Sequence, residues 1–145
     1  MPVPSTTPPE AHRTLANDPD AVYLDVRTEA EFEAGHPSGA RNVPVIVVDP
    51  ATRQPRPNRD FVAVVQRHFA PTTKLLVGCQ SGGRSLRACE ILADAGYTDL
   101  TNVEGGFGGA HDAMGRIVVQ GWHDAGLPVE SGATPGASYP DLAKR

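Results

Sequence analysis

The chain has few cysteines and no long apolar run, and each scarcity removes a class of protein. Cys79 and Cys89 are its only cysteines. They stand in no Cys-x-x-Cys or Cys/His ligand spacing, so the sequence encodes neither a disulfide framework nor a metal site, and no cofactor is expected. No stretch approaches the ~18 apolar residues of a membrane span. The opening "MPVPSTTPPEAH" lacks the apolar core and early basic residues of a secretion signal. The expectation is a soluble protein in a reducing compartment, cytoplasmic, with no membrane partner. A clustered basic face is missing too: the formal net charge is −4 and its signs are interspersed, which argues against nucleic acid as a partner. Arg53, Arg56 and Arg59 sit among prolines and read as a solvated loop. There is no internal repeat, and a chain of 145 residues fits one domain that buries roughly 70% of its unfolded surface.

What is present alternates between two periods. Thr7, Pro8 and Glu10 have the arrangement of a capping box ahead of a short helix to about Asn17. "AVYLDV", Ala21 to Val26, is an apolar run of β-formers flanked by Asp25 and Arg27, as a buried parallel strand ends at a functional edge. Thr28 and Glu31 make a second capping box, with Gly35 as its stop. "RNVPVIVV", broken at Pro44, and "DPATRQPRPN" read as a loop. Phe61, Val62, Val64, Val65 and Phe69 mark a helix stopped by Pro71. "KLLVGC" is a second strand, "RSLRACEILADAGY" a helix ended by Gly96, and "DLTNV" a third strand. "GRIVVQGWHDAG" is expected to be a last amphipathic helix closing the domain near Pro128. Strands alternating with helices predict an α/β domain with a parallel sheet covered on both faces. From Ser131 the chain is small and polar, which divides it into a domain over 1–130 and a tail over 131–145, with Tyr139 as the tail's one large anchor.

"LLVGCQSGGRS", Leu75 to Ser85, carries the chemistry. Ligands of a parallel sheet bind at the carboxyl ends of strands, where the next helix offers unpaired N–H groups. Cys79 falls there. Gly82 and Gly83 let the loop fold back, so that the N–H groups of Gln80, Ser81, Gly82, Gly83, Arg84 and Ser85 converge into an anion nest. The helix dipole and the Arg84 guanidinium would favour a thiolate at that point, which makes Cys79 the candidate nucleophile. Cys89, mid-helix at apolar spacing, reads as a small buried hydrophobe. Two rival loops share part of the pattern. "GCQSGGRS" has the spacing of a nucleotide loop, but Arg84 replaces the lysine, which is a different tool on terminal phosphates. A cysteine-phosphatase loop has five residues between cysteine and arginine. Here there are four, a cradle sized for one sulfur atom more than for a phosphate.

At these residues the chain resembles the rhodanese homology domain, the sulfurtransferase module. "LDVRTEAEFEAGHPSGARNVP", Leu24 to Pro44, is similar to its first signature. "CQSGGRS" is similar to its six-residue active-site loop, and "NVEGGFGGA", Asn102 to Ala110, to its C-terminal signature. The resemblance implies a rhodanese-like fold, a five-stranded parallel sheet flanked by helices on both faces. It implies transfer of a sulfane sulfur from thiosulfate or a related donor to a thiol or cyanide acceptor, through a persulfide on Cys79 held by the N–H groups of residues 80–85 and by Arg84. This is two-step covalent catalysis without a metal. Asp25 and Arg27 match the family's strand-end pair that braces the loop. Asp25 is expected to accept loop hydrogen bonds and Arg27 to pair with Glu31 or a neighbour. His36, in "GHPSGA" where the family usually has Gly-His-Ile-Pro-Gly-Ala, reads as structural. The family's first strand has only "MPVPS" to form from, and His111 and Asp112 are expected to be exposed. Gln80 and Ser81 are neutral, leaving Arg84 as the loop's only formal charge, which tempers thiosulfate as the donor. The competing reading is a persulfide carrier or redox-sensing module loaded by a protein partner.

Overall fold

The computed structural model describes residues 3–144. Along it run β1 (Ser5–Thr6), α1 (Pro8–Asn17), β2 (Val22–Asp25), α2 (Glu29–Ala34), β3 (His36–Pro37), β4 (Arg41–Asn42), β5 (Ile46–Val48) and β6 (Pro55–Pro57). They are followed by α3 (Phe61–His68), β7 (Leu75–Gly78), α4 (Gly83–Asp94), β8 (Leu100–Val103), β9 (Ala110–His111), β10 (Ile117–Val119), β11 (Val129–Glu130) and α5 (Tyr139–Ala143). Five strands form one parallel sheet in the order β1-β8-β7-β2-β4. Even the two residues Ser5–Thr6 suffice to add the first strand that the resemblance implies, beside Asn102 and Val103.

The period of two along a strand explains why these runs are apolar throughout. Leu24, Leu75 and Val77 face one core with Val64 and Val65 of α3, Ala88 and Leu92 of α4 and Leu142 of α5. Tyr23, Leu76 and Val103 face the other, with Ala11 of α1, Phe32 of α2 and Trp122. Helices therefore cover both faces, and β7 lies in the middle of the sheet.

Local signals were overruled at three places. The Thr7 capping box does not form: Thr7 caps α1 without a side-chain bond, because Glu10 turns forward to Arg13 at 2.6 Å. At α2 the same motif closes, Thr28 Oγ1 accepting from Glu31 N and Glu31 Oε1 from Thr28 N (3.3 and 3.1 Å). The proline-rich stretch is an antiparallel ribbon of β5 and β6, pairing Ile46 with Pro57 and Val48 with Pro55. Its prolines are exposed and form the edge of a two-stranded ladder, where a missing N–H is tolerated. The helix expected over "GRIVVQGWHDAG" is absent. Ile117–Val119 instead pairs antiparallel with Ala110–His111, around a turn in which Asp112 Oδ1 accepts from Met114 N and Arg116 N. β-Branched Ile-Val-Val favours the extended form.

The polar segment after Ser131 lies on the body. Preceding it, β11 pairs with β3, and Gly132 N donates to Glu33 O at 2.7 Å. Leu142 of α5 is buried, Tyr139 and Ala143 pack on the same core, and the Leu142 carbonyl lies 2.7 Å from His68 Nε2.

Candidate active site

β7 delivers Cys79 to the carboxyl edge of the sheet, between β2 and β8, and α4 begins four residues later. Gly78 is required by its surroundings, since a Cβ there would overlap the Tyr23 hydroxyl. Cys79 is 1% exposed. Its Sγ accepts from Gly82 N at 3.1 Å. Gly82 makes this possible at φ +125°, a conformation that favours glycine. Ser85 Oγ lies 3.4 Å from the sulfur, and the same hydroxyl reaches Asn102 Oδ1 at 2.5 Å and Gly82 O at 3.0 Å. A sulfur anion at this point would have a backbone donor and the amino end of a twelve-residue helix beside it.

The backbone of this loop is clamped from a second one. Phe107 N donates to Cys79 O and Gly108 N to Gln80 O, each at 2.8 Å. Gly106 has φ +49°, and a Cβ on it would collide with the Cys79 carbonyl. Asn102, Gly106, Phe107 and Gly108 were not among the expected site residues. The glycine density of "EGGFGG" was their signal: two backbones can touch only where side chains are missing.

The charged groups are arranged differently from expectation. Asp25 and Arg27 are both buried and held together, Arg27 Nη2 donating to Asp25 Oδ2 at 2.7 Å and Nε to Oδ1 at 3.0 Å. Asp25 Oδ1 also takes the Arg27 N–H at 3.0 Å, so its side chain is spent on Arg27 and not on N–H groups of the 80–85 loop. Arg27 is the brace: Nη1 reaches Gln80 Oε1 at 3.2 Å, Nη2 reaches Gly35 O at 2.7 Å, and the guanidinium lies 4.5 Å from the centre of the Phe107 ring. Glu31 pairs with Arg84 instead of Arg27, in a two-point bridge of 2.6 and 2.9 Å. The Arg84 hydrogen bonds pull the Glu31 carboxyl down from its ordinary 4.5 to about 2, and the same bonds raise Arg84. Of the remaining loop residues, Gln80, Ser81 and Gly83 are exposed, and Ser85 is buried.

His36 is buried and stacked on Phe32, with its ring centre 3.6 Å away, and its nitrogens lie 2.7 Å from Phe32 O and 3.1 Å from Thr134 Oγ1. That is a structural role. His111 is exposed and Asp112 serves the β9–β10 turn. Cys89 is fully buried in α4, and burial pushes its thiol up to about 12. Among the described residues no helix is long and apolar enough to cross a membrane.

A parallel sheet covered on both faces, with a cysteine cradled where its middle strand meets a helix, defines an α/β protein with a strand-end thiol loop. The chain belongs to the rhodanese-like domain family, whose model matches residues 7–113. It is 38% identical over 109 residues to thiosulfate sulfurtransferase 16, chloroplastic, of Arabidopsis thaliana, covering 75% of this chain and 79% of that protein. To thiosulfate sulfurtransferase 18 of the same plant it is 44% identical over 87 residues, 59% of this chain and 62% of the relative. Among solved structures, Rv0390 from M. tuberculosis superposes with a TM-score of 0.74 at 31% identity, over 91% of this chain and 100% of that one.

Proposed function

We propose that this rhodanese-like domain is a sulfurtransferase that carries a sulfane sulfur as a persulfide on Cys79. The observation that carries the reading is the position of Cys79 Sγ at the end of the middle strand, 3.1 Å from Gly82 N, ahead of the α4 amino terminus. In the first step the Cys79 thiolate attacks the outer sulfur of thiosulfate. The sulfur–sulfur bond of the donor breaks, sulfite leaves with its electron pair, and a Cys79 persulfide anion forms. In the second step cyanide or a thiolate attacks the terminal sulfur, and Cys79 departs as thiolate. Two half-reactions through one covalent intermediate are ping-pong chemistry. Residues 80–85 line the terminal sulfur, Asp25 and Arg27 hold the loop through Gln80, and a reducing compartment such as the cytoplasm keeps the thiol free.

Incubation with thiosulfate and then cyanide should release thiocyanate, and Cys79→Ser should abolish it. Turnover that survives the substitution would sink the mechanism. A second reading, a carrier loaded by a protein persulfide, is favoured by the pairing of Arg84 with Glu31, which leaves the loop no free charge for a dianionic donor. Intact mass separates the two: the carrier gains one sulfur on Cys79 without repeated turnover of a small donor.

A further inference from the structure

Two guanidinium groups approach the Cys79 loop, and each is already matched by a carboxylate. Arg27 is held by Asp25 at 2.7 Å. Arg84, the only formal charge between Cys79 and Ser85, gives both its terminal nitrogens to the two oxygens of Glu31. Arg87, on the next turn of α4, lies 3.4 Å from Glu90. Glu31 is not a loose surface acid. Its Oε1 also accepts from Thr28 N and Thr28 Oγ1, each at 3.1 Å, so the cap of α2 fixes the carboxylate in place. The bridge is about two-thirds buried, with side-chain exposures of 31% and 32%. Arg84 also lines a cavity of about 310 Å³ with Val45, Ile46, Pro57, Gly83 and Arg87, whose wall is largely apolar. Arg84 stands two residues after Gly82, whose N–H meets the Cys79 sulfur at 3.1 Å, so whatever cancels its charge changes what an incoming anion meets. Thiosulfate is a dianion that must approach a thiolate, and here it finds guanidinium groups whose charge is spent.

We infer that Glu31 is a specificity-determining positioning residue that withholds Arg84 from the sulfur donor and selects singly charged donors, organic thiosulfonates and persulfides, over the thiosulfate dianion. The inference rests on the sulfurtransferase reading above. Methanesulfonothioate tests it well, because it replaces one charged oxygen of thiosulfate by a methyl group and keeps the chemistry. The thiolate attacks its outer sulfur, the sulfur–sulfur bond breaks, and methanesulfinate leaves with the electron pair in place of sulfite.

The measurement is the ratio of kcat/KM for thiosulfate to kcat/KM for methanesulfonothioate, with cyanide as acceptor. Glu31→Gln keeps an oxygen for the Thr28 N–H, and so the helix cap, while removing the charge. It should raise the ratio about five- to tenfold, as expected for one freed charge acting on a second anionic charge in a partly solvated site, and chiefly through a lower KM for thiosulfate. The rise should shrink with added salt. Arg84→Gln placed on Glu31→Gln should return the ratio to the wild-type value. A ratio that stays put or falls in Glu31→Gln, or a rise that survives loss of Arg84, overturns the inference while leaving the sulfurtransferase reading intact. If no form of the protein turns over either donor, both fall together.

Discussion

At Gly78 a methyl group would run into the Tyr23 hydroxyl, whereas at Gly83 it would meet nothing within 4 Å. The two glycines that bracket the Cys79 loop thus serve different ends. Gly78→Ala overpacks a closed site and should cost about 1–3 kcal/mol in urea unfolding, whereas Gly83→Ala, at the start of α4, should leave stability level or raise it by up to about 1 kcal/mol. Glu31 has its own signature. Because Arg84 holds its carboxyl near 2 in the folded protein against an ordinary 4.5, the unfolded chain binds more protons between those values. The stability contributed by the pair is complete above about pH 4.5 and is lost as the pH falls toward about 2. Urea midpoints measured at pH 7 and pH 3 should therefore converge between wild type and Glu31→Gln as the medium is acidified. The two thiols also part at this scale. With Cys89 fully buried and its thiol raised to about 12, iodoacetamide at neutral pH should leave it unmodified in the native protein, and intact mass should show its adduct only after unfolding.

Among the elements, identical motifs had different fates. Thr7 and Thr28 each begin the same four-residue capping pattern, yet only the second closes, because Glu10 has Arg13 within reach on its own helix. "GRIVVQGWHDAG" has apolar residues at spacings a helix could use, but Asp112 closes a turn ahead of Ile117–Val119 and sets them antiparallel to Ala110–His111. Gly121 then comes so close to Gly109 N that a side chain there would not fit. The loop that clamps Cys79 belongs to this scale too. Gly106→Ala should push the clamp off the Cys79 carbonyl and slow sulfur loading of Cys79 by up to about a hundredfold, the loss that displacing a reacting atom by an ångström can bring, as read by intact mass after exposure to donor. Loading at the wild-type rate would show that the clamp does not position the cysteine.

For the whole molecule, the polar segment after Ser131 works as part of the body. Leu142 fills the core beside α3 and α4, and Arg67 Nη1 donates to the Ala143 and Lys144 carbonyls (3.3 and 3.1 Å). Leu142→Ala should cost about 2–5 kcal/mol in thermal or urea unfolding. An unchanged midpoint would mean that the packing of α5 contributes nothing to the fold. The alternation of strands and helices, the strand-end cysteine, its glycine loop and the α2 cap were all legible in the sequence, because each depends on residues within a few positions of one another. The sequence by itself determined the strand-end cysteine and the sheet that presents it. Only the tertiary structure decided which charges meet: Arg27 and Glu31 are four positions apart and do not pair, whereas Glu31 and Arg84, 53 positions apart, do. Long side chains choose partners by the geometry of packed elements, which no local pattern records. The charge left unpaired at the Cys79 loop is therefore a property of the fold.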